Sequence, residues 1–125
     1  MQDEPTPTEL IKAVADFLRN EIAPAIKGHN SFKLRVGINA LDLVTRQLAL
    51  AEVGDATEAA RLKALLDTDG TLMELNRALS EKIASGEVDL ATPGLPEHLW
   101  QTTMDKLAVD QPNYASYKRE LGNKV

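Results

Sequence analysis

Four polar residues recur at helical spacing in the middle of the sequence and are its strongest candidates for chemistry. They are Arg35, Asn39, Asp42 and Arg46, and at about 100° per residue they share an arc of roughly 60° on a helix. Two guanidinium groups on one face suit a carboxylate or phosphate, to which each donates paired hydrogen bonds. Such a strip is more often the solvated edge of an apolar helix, since charged residues usually remain in water. Both interpretations stay open on the residues alone.

Further polar residues extend this candidate site. Asn76 falls within the apolar arc of another predicted helix, and Lys106 supplies an additional cation. If the strip is buried, we expect Asn76 and Glu21 to pair with it, because an orphaned buried charge is strongly destabilising. The candidate residues for binding a ligand or a partner are therefore Arg35, Asn39, Asp42, Arg46, Asn76 and Lys106.

The signatures of catalysis, metal binding and cofactor binding are missing from the sequence. It contains no cysteine, which excludes thiolate nucleophiles and thiolate metal ligands, and neither GxSxG nor HExxH occurs. The phosphate-binding GxxxxGK and dinucleotide-binding GxGxxG patterns are also missing. His29 and His98 are predicted to be surface residues rather than metal ligands. We therefore expect a protein that is not an enzyme and has neither a metal nor a cofactor.

The elements that must position these residues are predicted to be helices. The segment from about 30 to 53 is apolar around most of its circumference, which predicts a long central helix enclosed by the others. Gly54 is predicted to end it as a C-cap, and Asp55 to begin the next helix as an N-cap. Thr6, Pro7 and Glu9 form a predicted capping box. The other helices are predicted over about 7–22, 56–66, 71–84 and 96–109, the last with Leu99, Trp100, Thr103 and Leu107 inward.

Composition supports an all-α fold. Aromatic residues make up only 4% of the chain, whereas strands of sandwiches and barrels favour aromatic and β-branched residues. Short loops between successive helices favour antiparallel neighbours. The prediction is an antiparallel bundle of four main helices plus short helices. It forms a single domain over residues 1–125, frayed at 1–5, with residues 112–125 as a C-terminal tail that contains a short helix.

Charge and hydropathy limit the partners that we expect. The net charge is −5, with 14 basic residues dispersed among 19 acidic ones, which disfavours nucleic acid. The N-terminus lacks the basic start and apolar run of a signal peptide, and no stretch approaches 18 uninterrupted apolar residues. These features predict a cytoplasmic protein that binds neither nucleic acid nor membrane.

Two stretches resemble a known family. They are Phe32-x-x-Arg35-Val36-x-x-Asn39-Ala40-Leu41 and the segment DKLAVDQPNY at 105–114, together with MQDEPT at the start. They resemble a bacterial family of domains of unknown function, short helical proteins encoded beside aminoglycoside-phosphotransferase-like kinases and acyl-CoA dehydrogenases. Some members are fused behind the kinase-like domain. The resemblance implies an accessory role beside such proteins, but its motifs carry no established catalytic role and assign no functional residue.

The leading functional hypothesis is a non-catalytic accessory or interaction module. Its partner is expected to be a phosphotransferase-like protein, an acyl-CoA dehydrogenase or a second copy in a homodimer. The alternative is a helical bundle that binds a small anionic or phosphorylated metabolite through Arg35, Arg46 and Lys106. An enzyme acting alone ranks last, because no carboxylate pair stands out from the solvated faces.

Overall fold

Helix is the dominant conformation of the protein. The computed structural model describes residues 3–122, which are helical for the most part and contain no strand. The helices follow in chain order as α1 (Pro7–Phe17), α2 (His29–Leu66), α3 (Leu72–Ser85), α4 (Leu95–Asp110) and α5 (Ala115–Gly122). The prediction of an all-α helical bundle is confirmed. Residues 1–2 and 123–125 lie outside the described range. They belong to the segments predicted as a frayed N-terminus (1–5) and a C-terminal tail (112–125).

The capping box predicts the start of α1 correctly. Thr6 is the N-cap, its hydroxyl accepts a hydrogen bond from the Glu9 backbone N–H, and the Glu9 carboxylate accepts one from the Thr6 N–H at 2.7 Å. The helix ends earlier than predicted, because Leu18–Ile22 form a wider π-helical turn and Ala23–Ala25 a 3-10 turn. Pro24 lies in the second turn and has no N–H to continue a regular helix.

The helix α2 is longer than predicted and continues through Gly54. The prediction of a C-cap at Gly54 and an N-cap at Asp55 is wrong, and the segment 56–66 is the last part of α2. A glycine in a helix interior costs only about 1 kcal/mol relative to alanine, so it does not end a helix by itself. The helix ends instead before Asp67, which adopts a left-handed conformation with φ of 49°.

The chain divides within α2 into two compact units, Met1–Leu50 and Ala51–Val125. The N-terminal unit contains α1, the two short turns and the first half of α2. The C-terminal unit contains the rest of α2 together with α3, α4 and α5. The C-terminal unit has an aliphatic core made of Leu62, Leu75, Leu79, Val88 and Leu95. The sequence-based prediction of a single domain over residues 1–125 stays a prediction.

The first half of α2 is not enclosed as predicted. Phe32 is 58% exposed and Leu48 is 50% exposed, and among residues 3–50 only Ala15 and Ile38 are buried. A helix that is apolar all round needs cover on every side, and here only the face that carries Ile38 is covered. The sequence correctly predicted that this half of α2 is apolar around most of its surface. It wrongly predicted that these apolar side chains are buried. None of the described helices combines the length and hydropathy that a membrane span requires.

Candidate interaction surface

The polar strip of α2 lies along a partly exposed edge of the helix. Arg35 and Asn39 are exposed, whereas Asp42 and Arg46 are half-buried. Asp42 accepts a hydrogen bond from Arg19 in the π-helical turn, and this ion pair joins the turn to α2. The hydrogen bond to Asp42 raises the pKa of Arg19, because it favours the charged guanidinium. One end of the strip therefore supports the local fold, and the other end is open to solvent.

The remaining candidate residues lie in the C-terminal unit. The Asn76 side-chain amide on α3 donates to Glu58 Oε1 at 2.9 Å and to the Leu72 carbonyl at 3.1 Å. A polar residue is tolerated in the apolar arc of α3 because Glu58 of α2 accepts a hydrogen bond from its side-chain amide. Lys106 is exposed on α4. Glu21, the other expected partner of the strip, is exposed in the π-helical turn.

A half-buried polar cluster that was not predicted from the sequence lies in the C-terminal unit, together with the buried His98. Arg61 Nη2 donates to Thr102 Oγ1 at 3.3 Å and lies 3.4 Å from Asp105 Oδ2. The Gln101 amide donates to the other Asp105 oxygen at 2.8 Å. His98 is only 3% exposed, so its prediction as a surface residue is wrong. Arg61 is half-buried.

The buried face of α4 differs from the predicted one. The buried residues of this helix are Leu95, His98, Met104 and Val109. The prediction that Leu99, Trp100 and Thr103 point inward is wrong, since all three are exposed. The prediction for Leu107 is correct in part, because its side chain is half-buried. A signal for three of these four residues was present, because positions 95, 98, 102, 105 and 109 form one row at helical spacing, from which Met104 is excluded. The row was overlooked because its middle members are polar.

The environment of His98 favours its neutral form. Burial lowers its pKa from the ordinary value, the positive charge of Arg61 lowers it further, and Glu58 partly opposes both effects. Within the described residues, His98 Nδ1 and Arg61 Nε are buried and make no hydrogen bond. In residues 3–122 no three histidine, aspartate or glutamate side chains converge as a ligand set for a metal ion. Because its pKa is lowered in the folded protein, His98 links the stability of this unit to pH.

Exposed apolar side chains make up a large share of the N-terminal unit. Of the seventeen large ones that are more than a third exposed among the described residues, nine lie in this shorter unit and eight lie in the C-terminal unit. Nine large ones are more than a third exposed there: Leu10, Val14, Phe17, Phe32, Val36, Leu43, Val44, Leu48 and Leu50. The three on α1 are spaced by four and then three residues, so they form one row along a helix face, called here the α1 row. Contiguous apolar rows of this extent mark interaction surfaces in soluble proteins. The N-terminal unit is therefore the candidate functional site.

The fold and this surface define the class as an all-α helical protein with an uncovered apolar face. The chain belongs to the family described as Domain of unknown function (DUF6285), whose model matches residues 24–114. The matched range begins after α1 and takes in the whole of α2, α3 and α4. The resemblance to a family of domains of unknown function is confirmed to that extent. No curated protein and no solved structure matches the chain.

Proposed function

We propose that the protein is a non-catalytic interaction module that docks on another protein through its N-terminal unit. The observation that carries this proposal is the exposure of nine large apolar side chains on α1 and the first half of α2. Removing such surface from water stabilises a complex by about 25 cal/mol per Å². Ala15 and Ile38 are the only buried residues among 3–50, so the unit has little core of its own. A partner completes the apolar core that this unit lacks.

The proposed partner is a phosphotransferase-like kinase or an acyl-CoA dehydrogenase of the bacterial cytoplasm. The support is the family to which the chain belongs and the neighbours that the resemblance implies for its members. The α1 row is the proposed docking face for this partner. It is short and apolar, and at 100° per residue it lies on the opposite face of α1 from the Lys12–Asp16–Arg19 ion pairs.

Co-purification of the protein with each proposed partner tests the proposal. Val14→Glu introduces a charge at the centre of the α1 row, where the side chain is 50% exposed, so we expect the variant to fold. We expect about a hundredfold weaker binding, because an interfacial charge without a counter-charge is desolvated at high cost. Met73→Glu, at an exposed position on α3, is the matched control and is expected to bind as the wild type does.

Two outcomes of this experiment oppose the proposal. If the wild type retains neither the kinase-like protein nor the dehydrogenase, the proposed partners are wrong. If Val14→Glu binds as tightly as the wild type while circular dichroism shows it folded, the α1 row is not the docking face.

A further inference from the structure

The middle of α2 is a stretch of helix that the rest of the structure leaves largely uncovered. Over residues 47–57, called here the α2 junction, no residue is buried, nine of the eleven are exposed, and Val53 is 68% exposed. Most of the stability of a helix in a protein comes from the packing of one face, and a helix of this length is marginal in water by itself. The conformation of the α2 junction therefore depends mainly on its own residues.

These residues are poorly suited to a continuous helix. Valine, glycine, aspartate and threonine, which occupy positions 53, 54, 55 and 57, all have lower helix propensities than alanine. The Thr57 hydroxyl donates to the Val53 carbonyl at 3.0 Å and to the Gly54 carbonyl at 2.9 Å. Hydrogen bonds of this kind compete with the backbone ladder, and they destabilise and bend helices. The helix is therefore least stable around Gly54.

The same residues are well suited to end one helix and begin another. Glycine readily takes the positive φ that follows a helix, as Gly86 does after α3 with φ of 79°. Asp55 and Glu58 have the three-residue spacing of the capping boxes that begin α1 and α3. Aspartate is also among the best N-cap residues. The α2 junction thus contains the signals for a helix stop and a helix start, although α2 passes through both in the structure.

Glu58 is able to complete such a cap and keep its contact with α3. Its Oε1 accepts a hydrogen bond from the Asn76 side-chain amide at 2.9 Å. A carboxylate has a second oxygen, so Oε2 can accept a hydrogen bond from the Asp55 N–H at the same time. An interruption of the helix before Glu58 therefore does not require the loss of this contact.

We propose that α2 exchanges between the continuous helix of the structure and a minor conformation that is interrupted at Gly54 and Asp55. In the minor conformation Gly54 has positive φ, and Asp55 is the N-cap of a new helix with Glu58 at its third position. The caps replace some of the backbone hydrogen bonds that are lost, and water replaces the others, because the segment is exposed.

The interruption lies between two parts of α2 that are held by buried side chains. Ile38 is buried in the first half of the helix and Leu62 in the second, and the boundary between the two compact units, after Leu50, lies inside the α2 junction. Both parts remain helical in the two conformations. A partner that binds one conformation more tightly shifts the population towards it, so the α2 junction is a conformational switch. The inference concerns α2 alone and does not depend on the proposed function.

Hydrogen exchange of backbone amides, followed by NMR on the whole chain, tests the proposal. The N–H groups of Ala56 and Thr57 lose their acceptors when the helix is interrupted, so a population of about 1–10% limits their protection to about 10–100-fold. The amides of Leu50 and Ala51 stay helical in both conformations, and we expect them to be about tenfold better protected. Equal protection at all four amides overturns the proposal, because the junction then either stays intact or unfolds as a whole.

Substitution of Asp55 tests the cap itself. Asp55→Ala removes the N-cap and favours the continuous helix, so we expect protection at Ala56 and Thr57 to rise about tenfold. Asp55→Asn keeps an N-cap residue and is expected to stay within about twofold of the wild type. Glu52→Ala removes a carboxylate at another exposed position of the α2 junction and is the matched control, also expected within about twofold. A rise in Asp55→Ala that is no larger than in Glu52→Ala overturns the proposal.

Discussion

His98 links the stability of the C-terminal unit to pH. Its pKa in the folded protein lies below the ordinary value of 6.5, because burial and the charge of Arg61 disfavour the imidazolium. As the pH falls below about 6.5, the unfolded chain takes up a proton at this residue before the folded chain does. The free energy of unfolding is therefore expected to decrease from pH 7 toward pH 5, by at most about 1.4 kcal/mol per pH unit for one proton.

Urea denaturation at several pH values measures this effect. His98→Gln removes the titrating group and is expected to flatten the decline, whereas His29→Gln, the exchange at the other histidine, is expected to keep it. The range stays above about pH 5, because the lowered pKa values of Glu9 and Glu74, held by Thr6 and Thr71, add their own acid sensitivity below it. An unchanged slope in His98→Gln contradicts the assignment.

The burial of His98 and the polar contacts of Arg61 and Asn76 could not be predicted from the sequence. The polarity of His98 favoured a surface position, but the helix packing buries it although its Nδ1 makes no hydrogen bond. The neighbouring polar side chains pair with distant parts of the chain: Arg61 reaches Thr102 and Asp105, and Asn76 reaches Glu58. Contacts across 18 to 44 residues leave no local pattern in the sequence, so a single chain does not reveal them.

Helix ends with side-chain caps were predictable because the caps are local. Thr6 with Glu9 starts α1 through a reciprocal pair of hydrogen bonds, and Thr71 with Glu74 starts α3 in the same way. The end of α3 at Gly86 also matches the expected stop after Ala84, and this glycine has φ of 79°. Gly54 has the same residue type but lies in a continuous helix, so glycine alone did not distinguish a cap from an interior position.

Alanine substitution at Gly54 distinguishes the two environments in solution. A methyl group at Gly54 has no atom within 4 Å, and the residue lies in the interior of α2. Gly54→Ala is therefore expected to raise the free energy of unfolding by about 1 kcal/mol, through higher helix propensity. Gly86→Ala is the matched comparison, and we expect it to lower that free energy by about 1 kcal/mol, because alanine is strained at positive φ.

Chemical denaturation monitored by circular dichroism gives both values. The test is whether the two changes in the free energy of unfolding have opposite signs. The two substitutions are chemically identical, and the two positions differ in backbone conformation. If Gly54→Ala is destabilising to the extent of Gly86→Ala, then α2 is interrupted at Gly54 in solution.

At the scale of the whole molecule, apolar patterning and burial diverge in the N-terminal unit. The sequence indicated correctly that α2 is apolar around most of its surface, and it predicted that helices of the same chain cover it. In the structure, Phe32, Val36 and Leu50 remain exposed on one stripe. Hydrophobic periodicity shows that a face needs cover, but it does not show whether the cover belongs to the same chain. The docking of another protein on this unit, as proposed above, would supply the cover from a different chain.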